Sequence, residues 1–379
     1  MIQPVKLQRY HVQLGKPLPW NVYGSNARLL LNRGYIIESE QQLEALLERG
    51  MYIEASELEQ AIADKPLAVK NYDAFRFWDD MSAKLGVTLA RPSIEQDFPT
   101  HLAAIASQVQ YIAQRSADTV IAIIMMTMDH RRYPIVHSLQ VAVFCEMVAN
   151  RLGWEKTRRM DLLCAALSMN MGMLEAQQQL ATQSVPLSSE QQQFIKRHPM
   201  ESAAMLRNAG VTSPGWLKAV EEHHETASGT GYPRGIKELS DEAALLRTLD
   251  VFCAKISPRL HRKPMSGTQA ARVLFSEKGM ASDNPFIPSL IKEIGVHPPG
   301  SFVKLINSET AIVHKRGSGT NTPHVLSLIN PKGVPLAEPI RRDTSNALFK
   351  IKSEVPREQI LITVNPERIW AESPIQRYG

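Results

Sequence analysis

Residues 137–153 read HSLQVAVFCEMVANRLG, and their apolar side chains fall on a helical period. His137, Val141, Phe144 and Val148 stand four, three and four positions apart, so they share one face of a helix about 17 residues long. The same period runs through FPTHLAAIASQVQYIAQ (98–114) and TRRMDLLCAALS (157–168). Together these segments predict an all-helical middle from Ile94 to about Gly295. Its punctuation is legible: Ser188-Ser189-Glu190 starts a helix, Pro199 fits the first turn of another after His198, and Gly210 closes that one. Pro214, Gly229, Gly231 and Pro233 mark later breaks.

On either side the pattern changes. RYHVQLG, ARLLLNRGYII and RGMYI are short apolar runs broken by turn residues, with one helical stretch in SEQQLEALLERG. After VHPPGS (296–301), SFVKLIN, ETAIVHKRG and PHVLSLINPKG alternate apolar and polar residues. The expectation is therefore a mainly α protein. A small α+β unit spans 1–63, a polar linker 64–93, the helical domain 94–295, and a β-rich extension with its tail 296–379.

The chain of 379 residues is 44% hydrophobic and 21% charged, enough for two or three globular domains. Its longest apolar run, VIAIIMMTM (120–128), is too short for the roughly 18 residues of a membrane helix, and no secretory signal segment opens the chain. Cytoplasmic placement without membrane insertion is expected. Cys145, Cys164 and Cys253 form no CxxC pair, so they read as reduced, mostly buried thiols. The net charge of +5 is interspersed, which suits an anionic small ligand or a solvated surface and predicts no specific nucleic-acid binding. Walker, GxGxxG and GxSxG signatures are absent from the sequence.

Imidazoles and carboxylates are the usual ligands of Zn, Fe and Mn, and the helical middle offers His137, His198, His223, His224 and Asp250. Each has an ordinary alternative. His137 on an apolar face can be a satisfied core residue, His198 a helix-entry residue, and His223-His224 a cationic helix end favoured by the dipole. Asp250, flanked by Leu249, Val251 and Phe252, must be buried and so requires a partner. MMTMDHRRYP (125–134) gathers Asp129, His130, Arg131 and Arg132, which fits a helix end with a solvated basic turn. Met125, Met126, Met128, Met169, Met171 and Met173 are expected to fill core space.

In combination these segments resemble the HD-GYP family, bacterial phosphodiesterases that hydrolyse cyclic di-GMP. HHETASGTGYPRGIKELS (223–240) followed by LDVFCAKISPRLHRKP (249–264) is similar to the family's HHExxDGxGYP segment and the Asp-bearing helix after it. Residues 137–153 resemble its first His helix, and VPLSSEQQQFIKRHPMESAAMLRNAG (185–210) the segment with its isolated metal-binding His. The resemblance covers roughly Ile94 to Glu293. It implies that His137, His198, His223, His224 and Asp250 are metal ligands and that Gly231, Tyr232 and Pro233 form the signature loop.

The family's HDxGK tract falls on Met169-Asn170-Met171-Gly172-Met173. A two-metal hydrolase needs a carboxylate to bridge dications about 3.5–4 Å apart, and Asn170 is neutral. The Met169 thioether is a soft ligand, suited to Cu(I), and Met173 removes a cation that would favour phosphate. Tyr133 stands where some members carry a Glu ligand, Ser228 replaces the Asp of DGxGYP, and Cys253 replaces a second Asp. Every exchange removes charge. What the resemblance leaves is one ion (Zn, Fe or Mn) on His198, His223 and His224, with the second, on His137 and Asp250, expected to be lost.

Three functions follow as alternatives: a catalytically impaired binding or docking module that meets cyclic di-GMP or a diguanylate cyclase domain; an active, atypical phosphodiesterase using the remaining ligands; and a metal-free interaction module like the HDOD domains. Oligomeric state is open.

Overall fold

The computed structural model describes residues 4–6, 15, 17–18, 20–26, 28–48, 51–54, 73–90, 92, 97–128, 132–259, 262–276 and 284–370. They fall into two units, Met1–Tyr72 and Asp73–Gly379.

In the first unit, strands β1 (Pro4–Lys6), β2 (Val22–Gly24), β3 (Leu29–Leu31) and β4 (Met51–Glu54) form an antiparallel sheet ordered β1-β4-β2-β3, accompanied by helix α1 (Glu40–Glu48). Leu18, Trp20, Val22, Ile37, Leu43 and Met51 close a small core. ARLLLNRGYII and RGMYI supply β3 and β4. Most of RYHVQLG lies outside the described residues, as do residues 129–131 of MMTMDHRRYP.

The second unit is helical from its start: α2 (Ala74–Ala90), α3 (Phe98–Arg115), α4 (Ala117–Met126), α5 (Tyr133–Arg151) and α6 (Lys156–Ser168). A 3-10 turn at Met171–Met173 leads to α7 (Leu174–Thr182), α8 (Ser189–Asn208), α9 (Pro214–Glu222), α10 (Asp241–Ile256), α11 (Gly267–Ser276) and α12 (Phe286–Ile294). Helix α2 corrects the expected linker over 64–93, of which residues 64–72 lie outside the described part. Trp78, Met81, Leu85 and Leu89, spaced three to four apart, bury one face of it, so a stretch that reads as polar supplies a full helix stripe.

Helix α5 is the centre of the bundle. Its buried residues run almost continuously from Tyr133 to Ala149, including Ser138, Gln140 and Glu146. Two of these are matched: Gln140 Oε1 accepts from Ser257 Oγ at 3.0 Å, and Glu146 accepts from Arg159 at 2.8 Å and Gln110 at 3.2 Å. A helix buried all round follows from having neighbours on every side.

Strands β5 (Phe302–Leu305), β6 (Thr310–Lys315), β7 (His324–Ile329), β8 (Pro335–Asp343) and β9 (Ile351–Glu354) form an antiparallel sheet ordered β8-β7-β6-β5-β9, and α13 (Pro366–Trp370) follows. This sheet belongs to the helical unit. Phe302, Ile312, Leu326, Leu328 and Trp370 share a core with Ala122 of α4, and Arg316 joins the layers through Asp118 at 2.7 Å and Glu293 at 2.8 Å. The architecture is mainly α, with small sheets near the two ends. Among the described residues no helix is long and apolar enough to cross a membrane.

Candidate metal centre and cleft

Helix α8 begins with a capping box, in which Ser188 Oγ accepts from Gln191 N and the Gln191 side chain accepts from Ser188 N. It then runs unbroken through Pro199, which corrects the expected helix start at that residue. The continuity has a chemical consequence. Proline has no N–H, so the Ile195 carbonyl loses the backbone donor four residues on. His198 replaces it, Nδ1 donating to Ile195 O at 2.6 Å. That bond fixes the tautomer and turns Nε2 outward with its lone pair exposed.

His223 repeats the device at the C-terminal end of α9, where carbonyls lack helical donors. Its Nδ1 donates to Val220 O at 2.6 Å. The two Nε2 atoms then face each other across 3.2 Å. Burial, with His223 beside it, pushes the His198 imidazole down to about 3, and burial lowers His223 as well. Two neutral rings aimed lone pair at lone pair lack a proton to share, and a cation between them resolves the contact. His224 completes the group: one nitrogen from each of His198, His223 and His224 lies within 4.8 Å of the others. Burial, with His223 near it, holds His224 well below its ordinary value. These three donors fit a tetrahedral divalent ion with one position open.

The loop after His224 is built onto it. Tyr232 stacks on the His224 ring at 4.6 Å between centroids and donates its backbone N–H to His224 O at 3.2 Å. Gly231 makes this approach possible, since a Cβ there would stand 2.5 Å from Glu225 Cα and 2.6 Å from His224 O. Glu225 is fully buried and its carboxylate accepts from three successive backbone N–H groups: Arg234 at 2.6 Å, Gly235 at 3.0 Å and Ile236 at 3.2 Å. This glutamate therefore closes the Gly231-Tyr232-Pro233 loop. Ser228 joins Thr226 and Thr230 in a cluster of hydroxyls 2.8 to 3.3 Å apart.

His137 and Asp250 meet each other elsewhere in the same cleft. His137 Nε2 donates to Asp250 Oδ1 at 2.7 Å, and His137 Nδ1 is buried with no partner. Burial would raise the Asp250 carboxyl, but the hydrogen bond and charge of His137 hold it below the usual carboxylate range. Tyr133 stacks on His137 at 5.2 Å, and its hydroxyl accepts from Arg259 at 3.1 Å.

Of the tract 169–173, Asn170 and Met173 line the cleft, whereas Met169 is wholly buried. Met171 and Met173 are nearly so, as expected of core fillers, but Met128 is 48% exposed and Met125 and Met126 are half-buried. Gly172 sets the tract against α8: its N–H donates to Ser202 Oγ at 2.9 Å, and a Cβ would stand 3.0 Å from Ser202 N. The three cysteines are free and buried, and burial raises Cys253 and Cys145 well above the ordinary thiol value.

The cleft measures about 570 Å³, within the range of small-molecule sites. Its lining combines His137, His198, His224, Asp250 and Arg259 with the apolar Leu180, Val185, Leu187 and Ile195. Arg259 and the apolar lining escaped the sequence reading. Arg259 had a signal, a cation nine residues after a buried carboxylate on the same helix and its exit, while the apolar residues come from α7, the loop before α8 and Ile195 of α8, where none of them stands out singly.

Comparison with known proteins gives one family model, the HD domain, matching residues 100–284. The chain is 22% identical over 244 residues to the cyclic di-GMP phosphodiesterase PA4108 of Pseudomonas aeruginosa, covering 63% of this chain and 58% of that one. It is 24% identical over 200 residues to the cyclic di-GMP phosphodiesterase PdeB of Borreliella burgdorferi, covering 52% of each. The chain thus spans little more than half the length of these curated relatives. Among solved structures it is similar to Bd1817, a HDG"Y"P protein from Bdellovibrio bacteriovorus, with a TM-score of 0.51 at 19% identity over 76% of this chain and 98% of that one. The match to the HD-domain model and the fold shared with Bd1817 agree with the histidine and Gly-Tyr-Pro segments, and residues 100–284 form an HD domain.

Proposed function

We propose that this protein is a cyclic di-GMP-binding module of the HD-GYP family that holds one divalent ion on His198, His223 and His224 and is impaired as a phosphodiesterase. The opposed Nε2 atoms of His198 and His223 carry the reading, because each ring's proton is committed to a carbonyl on its far side. A divalent ion there supplies Lewis-acid attraction for a phosphodiester oxygen. Arg259 adds a fixed positive charge in the same cleft.

The second ion's ligands support the impairment. His137 and Asp250 are paired directly, and Asn170, at the place of the bridging carboxylate, brings no charge to hold a second dication. The three-histidine group favours one rival reading, slow hydrolysis at a single ion, so binding and turnover are measured together. Cyclic di-GMP is expected to bind the metal-loaded protein, with hydrolysis at least 100-fold slower than in a variant carrying Met169→His and Asn170→Asp. Turnover of the unaltered chain equal to that of the variant would establish an active enzyme, and absence of nucleotide binding would remove the function proposed.

A further inference from the structure

Met125, Met126 and Met128 stand partly exposed, unlike core fillers. With Met265, also half-buried, they line a second cavity of about 220 Å³, within the second unit, where the C-terminal end of α4 meets the start of α11, strand β5 and the segment after β9. Among the described residues it shares no lining with the metal-centre cleft. Two glycines let the methionines lie against backbone: a Cβ at Gly267 would stand 3.3 Å from Met125 Cε, and one at Gly300 3.1 Å from Met126 Cγ. The same lining holds Phe302 and Arg357, and the Arg357 Cζ lies 4.9 Å from the centre of the Phe302 ring. Among the described residues no hydrogen bond or ion pair takes up that guanidinium. The two carboxylates of the lining are answered by other groups. Glu354 accepts from Ser266 Oγ at 2.7 Å, from Thr268 and from His297 Nδ1 at 3.3 Å, and Glu358 faces Lys263 at 3.5 Å.

A cavity of this size exceeds the roughly 150 Å³ that admits a benzene ring in an apolar interior. Thioethers are polarizable and flexible, and they meet aromatic rings favourably. A guanidinium held over a ring keeps its planar edge for a carboxylate, which it takes with two parallel hydrogen bonds. We infer that this cavity is a binding site for an aromatic monocarboxylate, its ring among Met125, Met126, Met128 and Met265 and its carboxylate on Arg357. An inorganic anion has no body to place among the thioethers, and a neutral arene leaves Arg357 unanswered. Each half of the site therefore selects against one of them.

Methyl NMR on the full chain, with the methionine methyls labelled, reads the site directly, using benzoate, benzamide and cyclohexanecarboxylate as probes. Benzoate is expected to shift the methyls of Met125, Met126, Met128 and Met265, assigned by replacing each in turn with Leu, in one saturable process with Kd of about 1 mM or tighter. Benzamide, of the same shape but uncharged, should bind roughly tenfold more weakly, and cyclohexanecarboxylate, which lacks the aromatic face, about three- to tenfold more weakly. Arg357→Gln should weaken benzoate by about tenfold and leave benzamide within about twofold. Arg357 is exposed, so this variant should fold, and an unliganded methyl spectrum matching that of the unaltered chain verifies it. Benzoate that shifts no methyl, shifts methyls other than these four, or binds Arg357→Gln as tightly as the unaltered chain would overturn the site. Cyclohexanecarboxylate binding as tightly as benzoate would overturn the assignment of an aromatic ligand.

Discussion

Pro199 sits in the interior of a 20-residue helix, where proline ordinarily costs about 3 kcal/mol. Its effect here is to leave the Ile195 carbonyl to the His198 ring. Pro199→Ala would return a backbone donor to that carbonyl and compete with Nδ1 for it. The metal-free variant should therefore be more stable, by about 1–3 kcal/mol, yet hold a divalent ion roughly tenfold less tightly, because ring orientation set by such partners commonly governs affinity. Thermal unfolding without metal and a Zn²⁺ titration read the two effects, and a variant unchanged in both would show that proline and ring are not coupled. Several residues were legible at this scale without structure. The buried Asp250 does have a partner, His137, as its apolar flanks demanded. Arg259 was not legible, because a lone cation acquires meaning only from the groups it meets, here the Tyr133 hydroxyl and the cleft.

At the scale of elements, the segment 223–236 folds as a clasp. His223 and His224 meet His198, Glu225 gathers the amides of 234–236, and Gly231 lets the loop lie on the His224 backbone. Glu225→Gln exchanges one acceptor oxygen for an amide that must oppose an N–H donor. The expected cost is about 2 kcal/mol, concentrated in this loop, and hydrogen exchange should quicken at 226–236 while α5 and α6 stay protected. Uniform loss of protection would mean that the glutamate supports the whole bundle instead. The helical period marked α3, α5 and α6 directly from the sequence. It missed α2, whose apolar positions are separated by charged residues, and it split α8 at Pro199, because a proline is read locally and the side-chain donor that tolerates it is not.

Across the whole second unit, the C-terminal sheet is fastened by buried charge as well as by its core. Glu309 accepts from both Arg342 Nε and Nη2, at 3.0 and 2.8 Å, and from Ser327 Oγ at 2.6 Å. The Arg342 hydrogen bonds, helped by Ser327 and Asn307 and opposed by burial, hold its carboxyl down to about 2. An unfolded glutamate titrates near 4.3, so the folded state gains from the ionised form above about pH 4.3 and loses that gain as pH falls toward 2. The contribution is on the order of 2 kcal/mol, and Glu309→Gln should flatten the fall in melting temperature between about pH 5 and pH 3. An identical acid profile in the variant would place the acid sensitivity elsewhere. At this scale the sequence alternation disclosed strands, but not that the sheet packs on α4, since Phe302 and Ala122 lie 180 positions apart and nothing local announces that they touch.

The proposal of a single-ion centre is open to direct count. Metal analysis by mass spectrometry on anaerobically purified protein, with a His223→Ala and His224→Ala double variant alongside, reads it. One equivalent of Zn, Fe or Mn per chain, lost in the double variant, is the predicted result. Two equivalents, none, or metal that survives the double variant would contradict it.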